Sequence, residues 1–224
     1  RNLKHLSRLY EAERKLDKGA AAGSLLDLAN LAEDQGQPPD EVQAMLADAL
    51  AANPDNALIA ITLERVARAN RANEDTLRAL RARVETTEDP ALRASLSLDL
   101  AVMLEADGQI DAALEALAGA EHTGTARFRL LQMMERIASH HDRPTWVVRA
   151  LEAQAHLAAA AGSGADGDDA GDTAVQSVAR FEDQVRANQE AAALATAAAR
   201  VRASQLDDAA GARTSIGHAM NLAP

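Results

Sequence analysis

Four aspartates, Asp166, Asp168, Asp169 and Asp172, form the densest group of potential cation ligands in the chain. A calcium loop of the EF-hand type needs ligands at alternating positions, a central glycine and a closing glutamate at position twelve. The spacing here is wrong and no glutamate closes the loop. Set among Gly162-Ser163-Gly164 and Gly167, the aspartates read as a solvated, mobile linker. His140-His141-Asp142 is the only histidine cluster. Adjacent helical residues point about 100° apart, so this pair lacks the i, i+4 arrangement that chelates one metal. It reads as the cationic end of a helix, where the dipole favours imidazole. His5, His122, His156 and His218 show no ligand spacing and read as surface or groove-edge residues.

Other chemistries lack their parts. There are no cysteines, which removes disulfides, thiolate zinc sites and thiol catalysis. Gly162-Ser163-Gly164 is not followed by the Lys-Ser/Thr of a phosphate loop, and no Gly-x-Ser-x-Gly elbow occurs. Ser95, Ser97 and Ser204 fall within helical segments without a base. No catalytic, cofactor-binding or metal-binding set is expected, and the chain reads as a non-enzyme. Arg65, Arg68, Arg71, Arg78, Arg81 and Arg83 are the one local inversion of sign, opposed within that stretch only by Glu74 and Asp75. Guanidinium forks suit carboxylates and phosphates, so this group is a candidate surface for an acidic partner. The competing reading is a solvated helix face salted by Glu64, Glu85 and Glu88.

The formal net charge of -11 over 224 residues argues against nucleic acid, which demands clustered Lys and Arg, and against anionic membrane surfaces. No apolar run is long enough to span a bilayer. Aromatics make up 2% of the chain and alanine is abundant. Alanine, leucine, arginine and glutamate favour helix, and no period-2 alternation of strand length occurs. The expected class is all-α.

The elements that would position these residues repeat. Leu63-Glu64-Arg65-Val66-Ala67 returns 71 residues later as Met134-Glu135-Arg136-Ile137-Ala138, and Leu77-Arg78-Ala79-Leu80 returns at the same offset as Val148-Arg149-Ala150-Leu151. A period of 20–50 residues, or twice that, marks stacked repeats. Breaker residues divide the chain into eleven helical segments near 2–17, 23–35, 39–52, 55–71, 73–87, 90–107, 110–120, 124–140, 143–161, 174–204 and 207–222. Pro39 and Pro144 suit a first helical turn. Asp89 can cap the helix after it, and Gly36 and Gly108 sit where a left-handed residue ends a helix.

Ala101, Leu104, Gly108, Ile110, Ala113, Leu117 and Ala120 follow an order of small, large, glycine, apolar, alanine, apolar, alanine. That order resembles the tetratricopeptide repeat (TPR). The series Ala212, Ile216, Ala219, Leu222, Pro224 resembles the second helix of the same motif, and so does Leu46, Ala49, Pro54. The resemblance places recognisable repeats near 22–55, 94–125 and 193–224, and degenerate helix pairs at 57–90 and 126–161. It implies one right-handed α-solenoid of antiparallel helix pairs over 1–224 that scaffolds protein–protein contacts. The family's first-helix aromatic is replaced by Ala32, Leu104 and Ala203, which implies closer helix packing. Some TPR proteins clamp a peptide carboxylate with Lys and Asn. The corresponding positions here include Leu98, Val102, Ala106, Ala197 and Val201, which argues against such a clamp.

The second 71-residue unit carries an insertion at about 162–187. Its latter part places Val175, Val178, Phe181 and Val185 on one helical stripe, so Val178, Phe181 and Val185 are a second candidate interaction surface. With no proline or glycine to interrupt it, 174–204 is expected as one helix that overshoots its repeat and must bury its stripe against 143–161 or another protein. Residues 3–17 read as a second helix without its partner, so an apolar face is expected at one or both ends, where copies could associate. The expected partner is a protein or peptide. A regulatory or sensory repeat domain of a multidomain signalling enzyme or transcription regulator is the alternative. Cytoplasmic and envelope-associated settings both fit.

Overall fold

The structure is a computed structural model that describes residues 3–16, 18–120, 126–163 and 174–223. Among the described residues it holds eleven α-helices and no strand. The chain divides into two compact units, residues 1–109 and 110–224. The boundary falls inside the 94–125 segment. The first unit contains α1 (Leu3–Leu16), α2 (Lys18–Asp34), α3 (Pro39–Ala52), α4 (Ala57–Ala69), α5 (Asn73–Thr86) and α6 (Pro90–Ala106). The second contains α7 (Ile110–Ala120), α8 (Arg127–His140), α9 (Pro144–Ser163), α10 (Ala174–Gln205) and α11 (Ala209–Leu222).

Within each unit every helix packs on the next one in sequence. Where the connection is short, successive neighbours are antiparallel. This is the stacking of a helical repeat, in which no pair closes a core alone.

Local chemistry sets the ends. Asn56 caps α4 by accepting from the Leu58 N–H at 3.0 Å and the Ile59 N–H at 3.3 Å. Asp89 caps α6 through the Ala91 N–H at 3.0 Å. Pro39 and Pro144 open α3 and α9, where a missing N–H costs nothing. Gly36 (φ 70°), Arg71 (58°), Gly108 (77°), Asp142 (51°) and Asp207 (52°) all adopt the left-handed conformation between helices. After the first four, an N–H reaches five residues back: Gln37 to Ala32 at 2.9 Å, Ala72 to Ala67 at 2.9 Å, Gln109 to Leu104 at 2.8 Å and Arg143 to Ala138 at 2.8 Å. This bond is the 6→1 closure of a Schellman turn. The same device thus recurs whether glycine is present or not.

The 71-residue offset is structural. Leu63 and Met134, Val66 and Ile137, Ala67 and Ala138, Leu77 and Val148, Ala79 and Ala150, and Leu80 and Leu151 are all buried. Each large aliphatic side chain so buried contributes roughly 1.5–3 kcal/mol. Alanines complete the seams, with Ala29, Ala32, Ala60, Ala67 and Ala79 in the first unit and Ala155, Ala191, Ala195, Ala198 and Ala199 in the second.

The helix boundaries fall within a few residues of the sequence expectation, and the largest difference is at α2. Helix α2 begins at Lys18 rather than near residue 23, because Ala20-Ala21-Ala22 is strongly helix-forming and Ala21 and Ala22 are buried. Helix α9 continues to Ser163. The aspartate group and most of the 162–172 linker lie outside the described residues. Helix α10 runs 32 residues without a break at Asn188, about 48 Å at an α-helical rise.

Candidate functional site

Helices α4 and α5 carry the arginine group, and the fold ties most of it to neighbours. Arg65 grips Glu33 of α2 with both arms, at 2.7 and 2.6 Å. Those hydrogen bonds hold the Glu33 carboxyl below its ordinary range and raise the Arg65 guanidinium above its own. Glu64 is buried and accepts from Arg68 at 2.8 Å and from Arg83. Arg78 lies 3.6 Å from Glu74 and 3.4 Å from Asp75. Arg81 donates to Gln109 at 3.1 Å. Arg71 holds the left-handed turn. A polar chain backs this lattice: Asn70 donates to Gln43 at 2.9 Å, and Gln43 donates to Asp75 at 2.6 Å.

Beside these pairs α4 keeps an uncovered edge. Leu58 is 60% exposed and Ile61 47%. They continue into Arg65 and Arg68 at steps of three, four and three residues, which places all four on one helix face. In the second copy the same positions hold Arg129, Gln132, Arg136 and Ser139, so this mixed apolar and cationic edge belongs to the first copy alone.

The other sequence candidate lies on α10. Phe181 is 66% exposed and Val185 37%, and every residue from 181 to 186 is exposed. The side chain of Val178 lies outside those described. The stripe is therefore not buried against α9 at Phe181 and Val185. Further along α10, Ala191, Ala195, Ala198 and Ala199 are buried instead, because only there do small residues allow close helix approach. Ile216 (46%) and Met220 (66%), one turn apart on α11, are also exposed.

The second unit contains a site that sequence reasoning missed. A cavity of about 340 Å³ is lined by Glu152, Ala155 and His156 of α9, Ala195 and Arg202 of α10, and Thr214, Ser215 and His218 of α11. Alanine, serine and threonine walls leave space that larger side chains would fill. Arg202 donates to Glu152 at 3.1 and 3.0 Å and to Asp208 at 2.7 Å. Ser215 donates to Glu152 at 2.9 Å. Burial opposes the Arg202 charge, yet its bonds to Asp208 and Glu152 outweigh that and raise its pKa. The Gly211 N–H, then Arg202, lower that of Asp208. The rings of His156 and His218 lie 5.2 Å apart between centroids. Sixty-two residues separate them in sequence, and the one available signal was the i, i+4 spacing of Glu152 and His156 on a helix face. His140 and His141 lie at the end of α8 with rings edge to face at 4.7 Å. Among the described residues no helix is long and apolar enough to cross a membrane.

No protein-family model and no curated protein matches this chain. Solved structures similar to it are TPR proteins. One is YrrB, described as a TPR protein with an unusual peptide-binding site. It is 13% identical, with a TM-score of 0.38, over 96% of this chain and 92% of that one. MamA is 13% identical, with a TM-score of 0.40, over 90% and 91% of the two chains. The Cut9–Hcn1 hetero-tetramer of APC/C is 12% identical, with a TM-score of 0.33, over 100% of this chain and 44% of that one.

Proposed function

We propose that the chain is a non-catalytic protein–protein interaction scaffold of TPR-like helical pairs that receives a peptide segment along α4. The carrying observation is the exposed edge Leu58, Ile61, Arg65 and Arg68. Exposed aliphatic residues next to guanidinium groups suit a segment that alternates apolar and acidic side chains. Arg65 spends two of its five N–H donors on Glu33, so donors remain for a second carboxylate. The net charge of -11 supports a protein rather than a nucleic acid as partner. The exposed residues of α10 and α11 are secondary surfaces for self-association.

Selection of random peptides on the immobilised full chain tests this reading. Enriched peptides should carry acidic residues beside apolar ones. Their affinity should fall by about tenfold or more in Ile61→Asp and in Arg65→Ala, the loss expected of central contacts. It should hold in Arg129→Ala. Failure to enrich any peptide, or binding equal in all variants, would overturn it.

A further inference from the structure

We propose that His156 and His218 form a binding site for a borderline divalent metal ion of the zinc class, between α9 and α11 of the second unit. Three observations on the cavity support it.

The first is geometric. With Zn–N bonds of about 2.0–2.1 Å, two imidazoles on one tetrahedral ion place their ring centres roughly 5 Å apart. The two rings here are 5.2 Å apart and tilted by 44°, so they do not stack face to face. The second is an orphan atom: Nε2 of His218 is buried and makes no hydrogen bond. Buried polar nitrogens normally have a partner, and one without asks for a water or an ion. The third is a carboxylate in the lining, that of Glu152, which Arg202 holds at 3.0 Å. Glu152 lies one helical turn from His156 on the same face of α9, where a carboxylate supports an adjacent metal ion from the outer shell.

The site is an open one. Among the described residues no three His, Cys, Asp or Glu side chains gather closely enough to enclose an ion. The protein therefore supplies two imidazoles, and water or an atom of a partner fills the remaining positions. Imidazole suits zinc, copper and nickel, whereas calcium and magnesium require oxygen.

Isothermal titration of Zn2+ into the chelator-stripped full chain tests the proposal. One ion should bind per chain. His156→Gln and His218→Gln should each weaken binding by about tenfold or more, and the double variant His140→Gln/His141→Gln should not. Mg2+ should give no heat of binding. Far-UV circular dichroism checks that each variant is folded. His156 is exposed, so its variant decides the matter even if His218→Gln unfolds. The idea is overturned if the wild-type chain takes up no Zn2+, if His156→Gln binds as the wild type does, or if the His140/His141 variant alone loses the ion.

Discussion

The helix pairs α4–α5 and α8–α9 occupy equivalent places 71 residues apart, yet they join their helices differently. In the first pair, buried Glu64 reaches Arg83, nineteen residues on, and also receives Arg68. In the second, Glu135 stands at the same place and accepts from Gln154, again nineteen residues on, at 2.8 Å. Arg68 has become Ser139. Apolar residues on the seam trade for apolar ones, while the polar tie changes from a carboxylate held by two guanidinium groups to a carboxylate held by an amide. The difference teaches that shape specifies this repeat and the polar tie only has to be satisfied. A buried ion pair is weak as a source of net stability, although breaking one is costly.

The seam itself offers the hardest test. Leu80→Ala and Leu151→Ala should each cost about 2–5 kcal/mol, read from denaturant unfolding. A cost below 1 kcal/mol, roughly, at one of them would show that the two pairs are not energetic equivalents. The tie comes next. Arg83→Gln copies the amide of the second pair into the first and leaves Arg68 as the only cation on Glu64, so a loss of about 1–3 kcal/mol is expected. A loss below about 0.5 kcal/mol would show that the Arg83 arm of the tie is dispensable.

The turns are a finer probe. Arg71 and Asp142 are left-handed at matching positions. Arg71→Gly should stabilise the chain by about 0.5–1 kcal/mol and Asp142→Gly by less, because aspartate tolerates this conformation better than arginine. A larger gain at Asp142 in thermal unfolding would reverse the assignment of strain.

The smallest effect concerns acid. Glu33 titrates below its ordinary 4.5 because Arg65 hydrogen-bonds its ionised form. A depressed carboxylate pKa adds stability above the unfolded value, and that stability is lost as pH falls through the folded value. The pair is exposed, so its worth is under about 1 kcal/mol. Glu33→Gln should therefore be slightly less stable than the wild type near neutrality and should match it once the pH is well below 4.5. In the second copy the position 71 residues after Glu33 holds Leu104, and Arg136 donates to the Met133 sulfur at 3.1 Å. A constant gap between the two proteins down to low pH would remove the ion pair as its cause.

Much of the architecture was legible because its signals are local. Proline at the start of α3 and α9, Asp89 before Pro90, and glycine at 36 and 108 act within one turn of helix. The continuity of α10 followed from the absence of breakers. The left-handed turns at Arg71, Asp142 and Asp207 were hidden, since nothing in those residue types demands positive φ. The start of α2 was displaced because Gly23 reads as a break, although flanking alanines carry the helix through it. The candidate sites were less legible, as partners lie far away in sequence. Arg65 could not be assigned to Glu33, thirty-two residues earlier, and nothing in 143–161 points to His218. Ion pairs and cavities are products of packing, whereas caps and breakers precede it.

Helix α10 has a thermal consequence. Over residues 181–186 it has no covered face, so that stretch keeps its shape by backbone hydrogen bonds and intrinsic propensity, and short isolated helices are marginal in water. The buried portion after Ala191 melts with the body of the unit. One continuous helix thus spans two regimes: gradual loss of ellipticity on warming at its exposed end, and a sharp cooperative step at the other.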